Sequence, residues 1–238
     1  MAEFLLVHGS CHGAWCWRDV IPALAALGHS ARAIDLPSHG DDATPPAKVT
    51  LDLYADAIIA AIAPDTILVG HSMAGYPITA AALIAPGRIK ALVYLCAYVP
   101  IAGKTLAEMR AMAPSQPLMG AVQVAPDRVT FTIDPAQVVA KFYHDVDPAT
   151  ADWARAQLCP QPILPQETAL AQVATRLPRH YIRCRDDRTI PPLFQDVMTE
   201  NWRGGRVIDM TTSHSPFLSD PTGLAAHLDA LAQETLAK

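Results

Sequence analysis

The chain has 238 residues, 51% of them hydrophobic and 17% charged, with a formal net charge of −5. That length fits one large domain or a domain carrying an insertion, at about 150 residues per domain, and the apolar content excludes a disordered chain. An acidic balance without a Lys/Arg block argues against a nucleic-acid partner, and no run reaches the roughly 18 apolar residues of a membrane span.

In chain order, residues 4–8 read as a buried strand, 17–27 as a helix, 30–34 as a strand and 51–63 as a helix. Residues 66–69 form the next strand, 73–84 a helix and 91–95 a strand. The rhythm resumes with a strand at 181–184, a helix at 193–201, a strand at 206–210 and a helix at 222–237. Strands alternating with helices need crossover connections, so the expected fold is α/β, a doubly wound and mostly parallel sheet covered on both faces. The first strand follows Met1-Ala2-Glu3 directly, without a basic segment or a long apolar core, so no secretory signal is expected. Five scattered cysteines, Cys11, Cys16, Cys96, Cys159 and Cys184, read as free thiols and point to a cytoplasmic protein. None of their spacings suggests a metal site.

Between residues 101 and 178 the alternation lapses and prolines recur, which marks a cap or lid inserted between two core segments, 1–100 and 179–238. Met109, Met119, Phe131 and Trp153 are among its large apolar side chains. With Cys11 from the core they are the candidate substrate contacts, because methionines and aromatics line adaptable pockets. The simpler role for most of them is anchoring the insert to the core.

Gly70-His71-Ser72-Met73-Ala74-Gly75 sits between an apolar strand and a small-residue helix. This is the pattern of a nucleophile elbow, in which a sharp turn exposes a serine hydroxyl and small flanking residues let strand and helix approach closely. A serine needs a histidine to take its proton and a carboxylate to orient that histidine. In elbow enzymes those partners follow in the order acid, then histidine. Of the nine histidines, His214 lies just past the last strand, where a loop can swing its ring over Ser72. His180 precedes a strand, His227 sits within a helix, and His8 and His71 read as structural. The acid should follow the preceding strand, where Asp186 and Asp187 are adjacent and spacing does not choose between them. Asp35 reads as a turn residue. The oxyanion formed on attack needs preorganised N–H donors. Met73, following the nucleophile, and Ser10, in the glycine-bearing loop after the first strand, are the candidates.

The segments FLLVHGSCHGAWCW (4–17), GHSARAIDLPSHG (28–40), 70–75, YLCAYVP (94–100), 184–191 and 213–219 resemble one branch of the α/β-hydrolases. That branch contains the plant methylesterases, including the salicylate-binding esterase, and the hydroxynitrile lyases. In it the acid precedes a basic or small pair and then Ile-Pro, which maps to Asp187 before Arg188-Thr189-Ile190-Pro191. The resemblance therefore implies a Ser72–His214–Asp187 triad without cofactor or metal, and it allows a homodimer. It also implies that lyases carry threonine after the first-strand histidine and lysine after the catalytic one. This chain has Gly9 and Ser215 there, so cleavage of small, mostly apolar aryl or methyl esters is the expected chemistry. Two departures stand out. Ala74 replaces a usual glycine, and Ser215 replaces the methionine common in the plant esterases, which weakens the case for plant-hormone esters. Lyase-type C–C cleavage of cyanohydrins and a ligand-binding receptor role are the alternatives.

Overall fold

A computed structural model describes residues 1–237. The first half carries β1 (Glu3–Val7), α1 (Val20–Ala26), β2 (Ser30–Ile34), α2 (Leu51–Ala61), β3 (Thr66–His71), α3 (Gly75–Ile84) and β4 (Ile89–Leu95). Then come α4 (Leu106–Ala111), β5 (Val122–Val124), β6 (Thr130–Ile133), α5 (Val138–Phe142), α6 (Pro148–Gln157) and β7 (Gln161–Pro162). The chain closes with β8 (Arg179–Cys184), α7 (Pro192–Thr199), β9 (Val207–Met210), α8 (Pro216–Ser219) and α9 (Pro221–Leu236).

Six strands form one sheet in the order β2-β1-β3-β4-β8-β9, every pair parallel. Their side chains alternate between two apolar layers. Phe4, Leu6, Ile67, Val69 and Val93 pack on one face with α1 and α9, and Leu5, Val7, Leu68, Leu92 and Tyr94 on the other with α2, α3 and α7. Burial on both faces is why these strands read as continuous apolar runs rather than alternating ones. Connections leave β1 toward β2 and leave β3 toward β4, although β1 and β3 are neighbours with Val7 opposite Gly70. Their carboxyl ends thus open a crevice at the topological switch point, where ligands of such sheets bind.

Most boundaries shift by a residue or two from the sequence reading, and two of the shifts have a clear cause. The first helix begins at Val20 because a 3-10 turn, Ala14–Trp17, precedes it. β3 runs on to His71 because Gly70 and His71 pair with Tyr94 and Leu95. Residues 101–178 are not structureless: β5, β6 and β7 make a separate antiparallel three-stranded sheet, flanked by α4, α5 and α6. Strands of two to four residues are too short to show a period.

Candidate active site

The elbow forms where β3 ends. Ser72 has φ +57°, in the left-handed region that ordinary side chains avoid, and its carbonyl accepts the Tyr98 N–H at 3.1 Å. The close approach is sharpest at Gly75, where a Cβ would lie 1.9 Å from the Tyr98 carbonyl oxygen, so no side chain fits there. Gly70 is confined in turn, with a Cβ 2.8 Å from Ile78 and 2.9 Å from the Ala74 oxygen. Ala74 is accommodated and fully buried.

Ser72 Oγ lies 3.0 Å from His214 Nε2, and His214 Nδ1 lies 2.7 Å from Asp187 Oδ2. Because the carboxylate only accepts, Nδ1 carries the ring proton and Nε2 is left to accept from the serine. Asp187 is buried behind the imidazole. Its Oδ1 accepts the Thr189 and Ile190 N–H groups at 2.7 and 2.9 Å, and Oδ2 also accepts from the Gln195 carboxamide at 3.0 Å. Asp186 is exposed on the neighbouring turn. The His214 carbonyl is held from beneath by His71 Nε2 at 2.8 Å and by the Cys96 thiol at 3.6 Å. Burial, followed by the neighbouring His214, holds the His71 ring well below the usual imidazole range. Asp35 takes the Ala14 N–H at 2.6 Å, a turn role.

Ser10 and Met73 both face the cleft above Ser72, and among the described residues neither backbone N–H has a backbone acceptor. Ser10 is pinned at two points. His12 Nδ1 donates to its carbonyl at 2.8 Å, and Gln166 Nε2 donates to its hydroxyl at 2.8 Å. His12 Nε2 then accepts from the Tyr143 hydroxyl at 2.8 Å, the tautomer that its other contact requires. Burial lowers the His12 pKa to about 4, so this ring stays neutral.

The cleft is small, with a cavity volume of about 20 Å³. Leu106, Leu118, Phe131, Ile133 and Phe142 supply apolar walls, and Tyr98, Arg110 and Gln166 a polar one. Phe131 is the only one of the five proposed substrate contacts among the residues lining it. Cys11 opens instead onto a second cavity beside Cys159 and Pro160, its own N–H tied to Gln161. Met109, on α4, is buried in the core, whereas Leu106 and Arg110 of the same helix reach the cleft. Met119 lies exposed against Arg110. Trp153 packs edge-on against Trp15 with the Arg18 guanidinium over its ring. Large apolar side chains in the segment mostly anchor it, and composition alone does not separate anchors from pocket walls. Arg110, Gln166 and Gln195 escaped the sequence reading. Only Gln195 left a signal, a polar residue beside Phe194 on the buried side of an amphipathic helix.

One group of three potential metal ligands occurs among the described residues, His71, Cys96 and His214. Both ring nitrogens of His214 and Nε2 of His71 are already committed within the Ser–His–Asp arrangement.

A family model described as "Alpha/beta hydrolase family" matches residues 4–227. The chain belongs to that family. The hydrolase is similar to Methylesterase 7 of Arabidopsis thaliana, at 29% identity over 251 residues, covering 98% of this chain and 96% of that protein. Esterase PIR7B of Oryza sativa subsp. japonica is 37% identical over a shorter stretch of 161 residues, 59% of each chain. Among solved structures, a pyrethroid hydrolase from Sphingobium faniae JZ-2 superposes with a TM-score of 0.86 at 25% identity, over 98% of this chain and 97% of that one. These likenesses run to the plant methylesterases over nearly the whole chain. No helix among the described residues is long and apolar enough to cross a membrane.

Proposed function

We propose that the hydrolase is a serine carboxylesterase that cleaves small carboxylic esters through Ser72, His214 and Asp187. Family membership and the likeness to named esterases and methylesterases make it a carboxylic ester hydrolase. The observation that supports the mechanism is the unbroken chain from Ser72 Oγ to His214 at 3.0 Å and from His214 to a buried carboxylate at 2.7 Å. His214 takes the serine proton as Ser72 attacks the ester carbonyl, and Asp187 stabilises the imidazolium that forms. The oxyanion meets the Ser10 and Met73 N–H groups, the second on the turn leading into α3. His214 then protonates the leaving alcohol, and later takes a proton from the water that cleaves the acyl-enzyme.

Gly9 weighs against the lyase alternative. A Cβ there would lie 2.7 Å from His71 Nδ1 and 2.8 Å from Ser72 Cβ, so threonine would displace the nucleophile unless the elbow shifted. Ser215 supplies no cation beside His214 to stabilise departing cyanide. Residues 101–178 act as the cap, because they supply Arg110, Leu118, Phe131 and Gln166 to the cleft. The free state of all five cysteines fits a reducing cytoplasm.

Hydrolysis of short-chain p-nitrophenyl esters tests the reading. Turnover by the wild type that Ser72→Ala removes, with folding matched by circular dichroism, is the expected result. Equal turnover by the folded variant would overturn it.

A further inference from the structure

One wall of the cleft carries a cation that the esterase mechanism does not use. Arg110 stands at the last turn of α4, a short helix whose start is fixed by a reciprocal cap between Thr105 and Glu108. Leu106, one turn earlier on the same face, lines the cavity beside Arg110, while Met109 is buried in the core. Its guanidinium donates to the Gln166 carboxamide oxygen at 2.6 Å and to Met119 Sδ at 3.5 Å. Both partners are neutral, as is the Tyr98 hydroxyl, which also hydrogen-bonds with the guanidinium. Among the described residues no carboxylate forms an ion pair with it, whereas Arg183 and Arg185 share Asp196 and Asp209.

No aspartate or glutamate lines this cleft, and burial keeps His12 and His71 neutral there. Arg110 is therefore the one Arg, Lys, Asp or Glu side chain among the residues lining the cleft, and the buried Asp187 carboxylate lies behind His214. A half-buried guanidinium offers paired N–H donors matched to a carboxylate and is the side chain best suited to recognise one. Gln166 links it directly to Ser10, so a group bound at Arg110 sits on the same polar wall as the oxyanion loop. An anion on the acyl side stays paired through both acylation and deacylation, while one on the alcohol would depart with the first product.

We propose that Arg110 selects esters whose acyl part ends in a second, ionised carboxylate, that is, half-esters of small dicarboxylic acids. The proposal rests on the esterase reading and refines its substrate class from apolar to amphipathic. Water adds across the ester bond, releasing the alcohol and a dicarboxylate with one proton.

The experiment compares kcat/KM for the monomethyl esters of succinic, glutaric and adipic acids with their dimethyl esters, in the wild type, Arg110→Gln and Arg110→Lys. The best monoester should exceed its dimethyl counterpart by about ten-fold or more, the worth of a charge-assisted pair. Arg110→Gln should erase that preference, and Arg110→Lys should keep part of it. Dimethyl esters equal or better at every chain length would overturn the proposal. So would an equal fall for both esters in Arg110→Gln, which would make the arginine a latch on Gln166. If the wild type hydrolyses neither these esters nor p-nitrophenyl esters, the esterase reading is what fails. Calorimetric binding of glutarate to Ser72→Ala, with and without Arg110→Gln, then judges the anion site alone. Binding that needs Arg110 sustains it, and no binding overturns it.

Discussion

Gln195 and His214 share one oxygen of Asp187: Oδ2 accepts from Gln195 Nε2 at 3.0 Å and from His214 Nδ1 at 2.7 Å. The same carboxamide accepts the Cys184 N–H at 3.0 Å and donates to the Ile190 carbonyl at 2.8 Å. One glutamine thereby ties the end of β8, the acid turn and the acid itself together. All four lone-pair directions of the Asp187 carboxylate are occupied, so its orientation toward the imidazole is not free to drift.

Gln195→Met keeps the volume and removes every one of these bonds. It strands a buried backbone N–H and one carboxylate acceptor site, at a cost of about 1–3 kcal/mol in stability. The loss of one hydrogen bond to the charged acid should also lower kcat by roughly ten-fold. Thermal denaturation and ester hydrolysis read the two effects. A lower melting temperature with unchanged kcat would reduce Gln195 to a purely structural brace.

The two adjacent aspartates should behave very differently. Asp187→Asn leaves the geometry nearly intact but removes the charge that stabilises the imidazolium, and kcat is expected to fall by roughly 10³–10⁴-fold. Asp186→Asn alters an exposed side chain and should change kcat less than about two-fold. Steady-state kinetics on the pair decides the matter, and comparable losses in both would refute the assignment of the acid.

Acid should destabilise this protein earlier than its carboxylates alone would. An unfolded histidine protonates near 6.5, and His12 in the fold only near 4, chiefly because it is buried. Between those values the unfolded chain holds the extra proton. The stabilisation is therefore intact above about pH 6.5 and is lost as the pH falls toward 4, at about 1.4 kcal/mol per pH unit for this ring. His8 and His71 are lowered in the same direction, again mainly by burial, and steepen the slope. Urea denaturation from about pH 7 to about pH 4.5 measures it; a flat profile across that window would contradict the neutral, buried state of these rings.

The sequence exposes the core of the site because local signals coincide there. Ser72 sits between an apolar run and a small-residue helix, and His214 follows the last strand, so element order alone puts both at one sheet edge. The choice between Asp186 and Asp187 is not local. It depends on which side chain the turn before α7 buries, and only the family pattern pointed to Asp187. The polar wall is less legible still, since Arg110 meets Gln166 across 56 residues and Gln166 meets Ser10 across 156. Hydrophobicity likewise could not sort Met109, Met119 and Trp153 from Phe131, because packing against the core and lining a cleft demand the same residue types. The small sheet of β5, β6 and β7 stayed hidden because its strands are shorter than one hydrophobic period can reveal.

The sheet order β2-β1-β3-β4-β8-β9 carries a consequence for how activity is acquired. Ser10 and Ser72 follow β1 and β3, while Asp187 and His214 follow β8 and β9, the last two strands of the chain. The proposed relay therefore draws on both halves of the sheet, and it is complete only when all of these strands are in place. A chain that ends before β8 carries Ser72 without His214 or Asp187.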